Sequence, residues 1–214
     1  MQKIRLGVVY GGKSTEHEIS ILSALQAMSA ADQQKYQVIP IYISKQGEWY
    51  TGDALFNLEE YKKMDALLAK CQKVTLSPNC GDGKLRTPAK GLFSKGGELT
   101  LDVVLPVIHG AHGEDGCLQG LLELTGLPYG GPHLLAATCG MDKIVMKAAF
   151  AAAGIPLLPQ VVCSAREWRE QQEEIIAKVE RQLGYPVMVK PANLGSSIGI
   201  NKGSDRQGLI DRCV

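Results

Sequence analysis

The chain has 214 residues, 45% hydrophobic and 21% charged, with 23 Lys and Arg against 22 Asp and Glu for a formal charge of +1. That length supports one large domain or two modest ones with a real core, and the charge balance excludes a polybasic face for nucleic acid or an anionic membrane. No apolar run reaches the ~20 residues of a membrane-spanning helix, no secretory leader precedes the first strand, and six scattered cysteines form no C-x-x-C pair, so a reduced, cytoplasmic protein is expected.

Residues 4–10 are a short apolar run closed by Gly11 and Gly12, the form of a buried parallel strand and its turn. Thr15 and Glu18 fit a capping box, and Ile19, Leu22, Leu25 and Met28 recur at helical spacing behind it. Residues 38–44 read as a second strand. The result is a βαβ unit whose turn lies at the carboxyl edge of a sheet, where such folds bind ligands. Gly11-Gly12 falls short of a G-x-G-x-x-G fingerprint and indicates no dinucleotide. Glu16 stands in the first turn of the helix at that edge. It is either a ligand carboxylate or a charge that stabilises the helix dipole by roughly 0.3–1 kcal/mol, which Glu18 can do alone.

Residues 45–101 carry less information. Gln46-Gly47 suggests a hairpin turn, residues 58–71 an amphipathic helix, and the glycine-rich residues 79–97 a loop or weak hairpin. Residues 102–108 read as a third strand that delivers His109-Gly-Ala-His-Gly-Glu-Asp-Gly116, followed by a leucine-rich helix closed by Gly126. His109 and His112 with Glu114 and Asp115 suggest a metal, but the spacing across a glycine loop is a poor ligand pattern. His109 as a single hydrogen-bonding or polarising group is favoured.

Residues 132–154 are helical and rich in alanine, with Met141-Asp-Lys143 opening the main helix. Lys143 opposes the helix dipole there and needs either an anionic partner or water. Residues 160–163 suggest a strand, and Ser164 with Glu167 caps a helix to residue 183. A strand over residues 186–189 then ends in Lys190, an ammonium that is costly to desolvate unless an anion meets it. Gly195, Ser196 and Ser197 follow with consecutive N–H groups, two hydroxyls and a glycine for unusual dihedrals, a combination that suits phosphate oxygens. A hairpin with a polar turn and a solvated lysine fits this segment equally well. A strand from residue 198 and a helix announced by Ser204 and Gln207 complete the chain.

Four stretches in order, Gly11-Gly-Lys-Ser-Thr-Glu-His-Glu-Ile-Ser20, the H-G-x-x-G-E-D-G-x-L-Q-G run of residues 109–120, Met141-Asp-Lys143 and Lys190-Pro-Ala-Asn-Leu-Gly-Ser-Ser-Ile-Gly199, resemble the D-alanine–D-alanine ligases of the ATP-grasp superfamily. The resemblance covers nearly the whole chain. It implies an α/β fold: a parallel-sheet, Rossmann-like pre-ATP-grasp domain over residues 1–135, then part of an α+β ATP-grasp domain over residues 136–214. It further implies ligation of two D-alanines through an acyl phosphate for peptidoglycan synthesis, with ATP as substrate. Glu16 then holds the ammonium of the first D-alanine, and Ser196 joins Glu16 and a later tyrosine in a hydrogen-bond network. His109 lies near the substrate carboxylate, Lys143 and Lys190 contact ATP phosphates, and the Gly195–Ser197 loop forms a lid. Mg²⁺, with Mn²⁺ as the alternative, is expected on ligands outside this chain, and none of these residues is assigned to metal. The family extends further, so the chain is expected to be an amino-terminal half, inactive alone, with the choice of D-alanine, D-lactate or D-serine as second substrate set beyond residue 214. A homodimer through the amino-terminal domain is also implied. The competing readings are a non-catalytic binding module and a metal-dependent hydrolase built on His109 and His112.

Overall fold

Strand β1 (Ile4–Gly11) leads into helix α1 (His17–Ala30) and strand β2 (Tyr36–Ile43), in a computed structural model that describes residues 2–88 and 96–213. β2 turns through Gly47 into β3 (Trp49–Thr51). Two 3-10 turns, Asp53–Phe56 and Leu58–Lys63, precede α2 (Met64–Lys70) and then β4 (Gln72–Leu76), β5 (Lys84–Arg86), β6 (Glu98–Thr100) and β7 (Val103–Pro106). Among the described residues these strands form one seven-stranded sheet in the order β6-β5-β4-β3-β2-β1-β7. β1 pairs in parallel with β2 and with β7, whereas β2 through β6 pair antiparallel. The sheet is therefore mixed: the expected parallel core carries an antiparallel meander on one side. Short turns such as Ser44–Glu48 join antiparallel neighbours, while parallel ones need a long crossover. Residues 79–97, expected as a loop or weak hairpin, supply β5, and residues 89–95 of that stretch lie outside the described residues.

Alternation along β1 feeds two cores. Val9 packs with Ile41, Val104, Leu118 and Leu122 on one face; Val8 and Tyr10 pack with Ile21, Ala24, Met28 and Leu55 on the other. Of the apolar stripe expected on helix α1, Met28 is buried and Leu25 packs against the core, but the inward face is rotated away from Ile19 and Leu22. Ser20, Ile21, Ala24 and Met28 are buried, whereas Ile19 and Leu22 are 55% and 43% exposed. Ser20 fixes this orientation, because its hydroxyl donates to the Val107 carbonyl at 2.5 Å and accepts from the Gly11 amide at 2.8 Å. The capping box is absent as well. Glu16 is the N-cap residue and makes no side-chain capping bond, and Glu18 pairs with Lys45 at 2.5 Å.

Contacts divide the chain into two compact units, Met1–Thr138 and Cys139–Val214. α3 (Cys117–Thr125) closes at Gly126 in the left-handed conformation, and α4 (Leu134–Met141) follows. The main helix opens where Met141-Asp-Lys143 placed it: the Asp142 carboxylate caps α5 (Lys143–Ala152) through the amides of Ile144 and Val145 at 2.8 and 3.0 Å. Residues 160–163 have no ladder partner among the described residues and form no strand. The Ser164–Glu167 capping box does form, but its helix ends at Gln171, giving α6 (Ala165–Glu170) and α7 (Gln172–Gln182). β8 (Val187–Val189) pairs antiparallel with β9 (Asn201–Gly203), which begins three residues later than expected. Asp205, rather than Ser204, caps α8 (Arg206–Arg212). Trp168, Ile176, Val179, Val187 and Leu209 make the core of this second unit.

Arg5 ties the start of β1 to the turn before β7. Its guanidinium meets both Asp102 oxygens at 2.6 and 2.9 Å, and its amide adds a bond of 2.7 Å. The Arg5 side chain, aided by that amide, pulls the Asp102 carboxyl down to about 2. The folded carboxyl resists protonation more than the unfolded one, so its contribution is complete above the unfolded value near 3.8 and is lost as pH falls towards about 2. Asp102→Asn is expected to flatten the fall of the thermal midpoint across that interval, measured by circular dichroism at stepped pH.

Candidate functional site

In the first unit the site starts from strand adjacency. β1 and β7 run parallel side by side, so the loops that leave them, residues 12–16 and 107–116, emerge at one sheet edge. Gly11 has φ 88°, and a Cβ there would lie 2.3 Å from the Ile43 carbonyl oxygen, so glycine is required where the chain leaves the sheet. The Gly12 amide then donates to that same carbonyl at 2.7 Å. Glu16 is 9% exposed, at the head of α1. Its carboxylate lies against Gly110 so closely that a Cβ at Gly110 would fall 2.6 Å from Oε2.

His109 sits between two elements. Its Nε2 is 2.9 Å from the Ser23 hydroxyl of α1, and its Nδ1 is 3.6 Å from Glu114 Oε1. The other Glu114 oxygen accepts from the Gly110 amide at 2.7 Å, which closes the loop upon itself. His112 takes φ 65°, a left-handed conformation that costs a non-glycine residue of order 1–3 kcal/mol. Its amide donates to Asp115 Oδ2 at 2.8 Å and its Nδ1 lies 3.2 Å from the Lys13 carbonyl oxygen. Burial would raise the Asp115 carboxyl, but the amides of His112 and Cys117 outweigh it and hold Asp115 below the usual carboxylate range. Gln119, buried in α3, donates to the Gly113 carbonyl at 2.8 Å and braces the turn. The side chains of the metal alternative are thus engaged in hydrogen bonds that shape the loop. Among the described residues no group of three or more His, Cys, Asp or Glu could hold a metal ion.

The second unit gathers the lysines and the serine loop. Lys190 directly follows β8 and is exposed. Lys143 opens α5, and its ammonium donates to the carbonyls of Leu194 at 2.5 Å and Ala192 at 3.3 Å, while its amide donates to Ala192 at 3.0 Å. Backbone carbonyls meet the charge at this helix start. Left-handed dihedrals fall on Ser196 (φ 47°), Ser197 (φ 62°) and Gly199 (φ 70°), not on Gly195. Two turns, Ile198 to Gly195 and Ile200 to Ser197, fold the loop tightly. Two serines held in a conformation that serine disfavours indicate a loop whose shape serves something other than its own stability.

Glu16 and His109 therefore share one sheet edge, and Lys143 of α5 bonds to the loop that carries Ser196 and Ser197. Residues missed from sequence are Ser14 and Ser23, and Glu114, named there only for the metal alternative, instead holds the Gly110 amide. Ser14 stands two residues before the amide it binds, a local pattern that could have been read. Ser23 meets His109 across 86 positions and left no sequence signal.

The family model described as D-ala D-ala ligase N-terminus matches residues 5–132, and the model described as D-ala D-ala ligase C-terminus matches residues 149–213. The chain belongs to the D-alanine–D-alanine ligase family. Among its relatives, the D-alanine–D-alanine ligase of Geobacillus kaustophilus is 42% identical over 208 residues, which is 97% of this chain and 55% of that protein. The Bacillus cytotoxicus ligase is 44% identical over 209 residues, 98% of this chain and 56% of that protein. The chain spans about half the length of the curated relatives it matches. Among solved structures, the D-alanine–D-alanine ligase of Coxiella burnetii gives a TM-score of 0.82 at 29% identity over 99% of this chain and 57% of that one. The VanG D-Ala:D-Ser ligase of Enterococcus faecalis gives 0.79 at 32% identity over 99% of this chain and 59% of that one.

Two glycines separate loop shape from helix propensity. A Cβ at Gly113 would lie 2.3 Å from Ile108 Cβ and 2.7 Å from its carbonyl oxygen, whereas a Cβ at Gly140 in α4 meets nothing within 4 Å. Gly113→Ala is expected to destabilise by about 1–3 kcal/mol. Gly140→Ala should stabilise by roughly 0.5–1 kcal/mol. Urea unfolding of the two variants checks both.

Proposed function

We propose that this chain carries the first D-alanine site and part of the ATP site of an ATP-dependent ligase that forms D-alanyl-D-alanine for peptidoglycan synthesis in the cytoplasm. The observation that carries this reading is the shared sheet edge in the first unit. A buried carboxylate, Glu16, and an imidazole, His109, stand on adjacent loops, an anion for an ammonium and a donor for a carboxylate. That is the complement of an amino-acid zwitterion. Membership of the family and the specific loop of residues 109–120 support the same assignment. Lys143, Lys190, Gly195, Ser196 and Ser197 supply cations, amides and hydroxyls for ATP phosphates, with Ser196 and Ser197 in the loop that covers them.

The chemistry follows from the poor electrophilicity of a carboxylate. A carboxylate oxygen of the first D-alanine attacks the γ-phosphorus, the bond to the bridging oxygen breaks, and ADP leaves. The amine of the second D-alanine attacks the acyl carbon and loses a proton, the peptide C–N bond forms, and inorganic phosphate departs. Residues of this chain bind, orient and neutralise charge. The loop over the phosphates excludes water, which would hydrolyse the acyl phosphate. Among the described residues no group of three or more His, Cys, Asp or Glu could hold Mg²⁺.

A D-alanine–D-serine ligase is the second reading, favoured by the likeness to VanG. Competition of D-serine with D-alanine in the second position, read by product mass, separates the two. A homodimer through the first unit belongs to the same proposal, supported by the exposed Ile19 and Leu22 on α1; sedimentation equilibrium tests it. Among the described residues no helix is long and apolar enough to cross a membrane.

Calorimetric titration of the protein with D-alanine and with ATP tests the assignment of sites. Glu16→Gln keeps the shape and removes the charge, so D-alanine binding should weaken about tenfold while ATP binding holds. Lys190→Ala should weaken ATP binding by ~1.5–3 kcal/mol and leave D-alanine binding in place. Unchanged D-alanine affinity in Glu16→Gln would remove Glu16 from the site.

A further inference from the structure

We propose that Ser14 is a positioning residue that sets Glu16 against the His109 loop, acting through the Glu16 backbone and not on the ligand. A serine hydroxyl has one proton to donate and lone pairs to accept. Ser14 Oγ lies 2.7 Å from the His109 carbonyl oxygen and 3.1 Å from the Glu16 amide nitrogen. The carbonyl can only accept and the amide can only donate. The direction of both bonds is thereby settled: Ser14 donates to His109 and receives the Glu16 N–H. One oxygen atom joins the main chains of the two residues assigned to the substrate, 93 positions apart, since His109 follows Glu16 by 109 − 16.

The clasp is anchored on both sides. The Ser14 amide donates to Gly12 at 3.0 Å, and the Gly12 amide donates to Ile43 at the end of β2 at 2.7 Å, so the turn that holds Ser14 hangs from the sheet. On the other side, Gly110 has φ 74° and no side chain. A Cβ there would fall 2.7 Å from Ser14 Oγ and 2.6 Å from Glu16 Oε2. The Ser14 hydroxyl, the Glu16 carboxylate and the Gly110 backbone thus meet with no room for a side chain on Gly110.

The bond also divides labour at the helix start. Glu16 occupies the N-cap position, where a short Ser, Thr, Asp or Asn side chain commonly caps the helix. Here its amide is taken by Ser14 and its carbonyl by the Ser20 amide at 3.0 Å, while its carboxylate makes no capping bond. Ser14 carries no charge, so replacing it changes the placement of the Glu16 carboxylate and not the number of charges. The contact between His112 Nδ1 and the Lys13 carbonyl would still join the two loops, which is why the variant should fold.

This role rests on the D-alanine reading of Glu16, and two measurements keep the two apart. D-alanine is titrated into wild type, Ser14→Ala and Ser14→Thr, and exchange of the Glu16 amide is followed by NMR on the same proteins without ligand. Ser14→Ala should raise the D-alanine Kd about tenfold, and Ser14→Thr, which keeps the oxygen, should restore it to within about twofold. The Glu16 amide should be protected in wild type and Ser14→Thr and lose protection in Ser14→Ala, with closely similar melting curves for all three. An amide equally protected in Ser14→Ala overturns the clasp. Lost protection with unchanged D-alanine affinity, or lost affinity that threonine does not restore, overturns the positioning role. A wild-type protein that binds no D-alanine overturns the D-alanine reading and the positioning role with it, and the exchange data alone then decide whether the clasp exists.

Discussion

The parallel pairing of β1 with β7 is the constraint on which the first unit depends. Leu6 to Val9 lie opposite Val103 to Pro106, and the Val107 amide continues the ladder to Val9 at 2.7 Å. Two strands that run the same way and end together must release their following loops at one edge. Everything assigned to the amino-acid site comes from those loops or from α1, which starts where the first of them ends. The packing beneath is correspondingly dry: Val8, Val9 and Tyr10 are essentially inaccessible. Tyr10 bonds to the Tyr61 hydroxyl, which donates to Leu55 at 2.9 Å. Burial drives the Tyr10 hydroxyl far above its ordinary value, so that hydroxyl stays protonated and acts as a fixed strut beneath the strand.

The second unit solves a different problem with fewer strands. β8 and β9 form a short ladder, and α7 and α8 cover one side around Ile176 and Leu209. Arg206 binds Glu173 and Glu180, and Tyr185 adds a bond to Glu180 at 3.2 Å, so α8 is held to α7 by charge as well as by apolar contact. These pairs are exposed and contribute little individually. The loop between the strands is instead organised from within, by successive turns and by the Lys143 ammonium.

Much of this was legible where the cause is local. Gly11 and Gly12 mark the exit from β1 because the turn needs positive φ, and Gly126 closes α3 for the same reason. The Ser164–Glu167 box and the helix opening at Met141-Asp-Lys143 are likewise readable within four residues. Features decided by distant partners were not. The inward face of α1 follows Ser20, whose partner Val107 is 87 residues away, and not the spacing of Ile19 and Leu22. Residues 160–163 have strand composition without a strand, because a ladder needs a neighbour and composition does not provide one. Glu16 and His109 could be named from their motifs, but the Ser14 and Ser23 bonds that hold them join segments with no shared pattern in the sequence.

The engagement of Lys143 has a thermodynamic corollary. Its ammonium is already solvated by the carbonyl oxygens of Leu194 and Ala192. An ammonium has three N–H donors and two are spent on these carbonyls, so an anion would either take the third or displace a carbonyl, and only in the second case is the affinity a difference between two bound states of the lysine. The same choice makes the loop a reporter. Displacement of a carbonyl would remove an internal crosslink and free residues 192–194, whereas use of the third donor would leave them held.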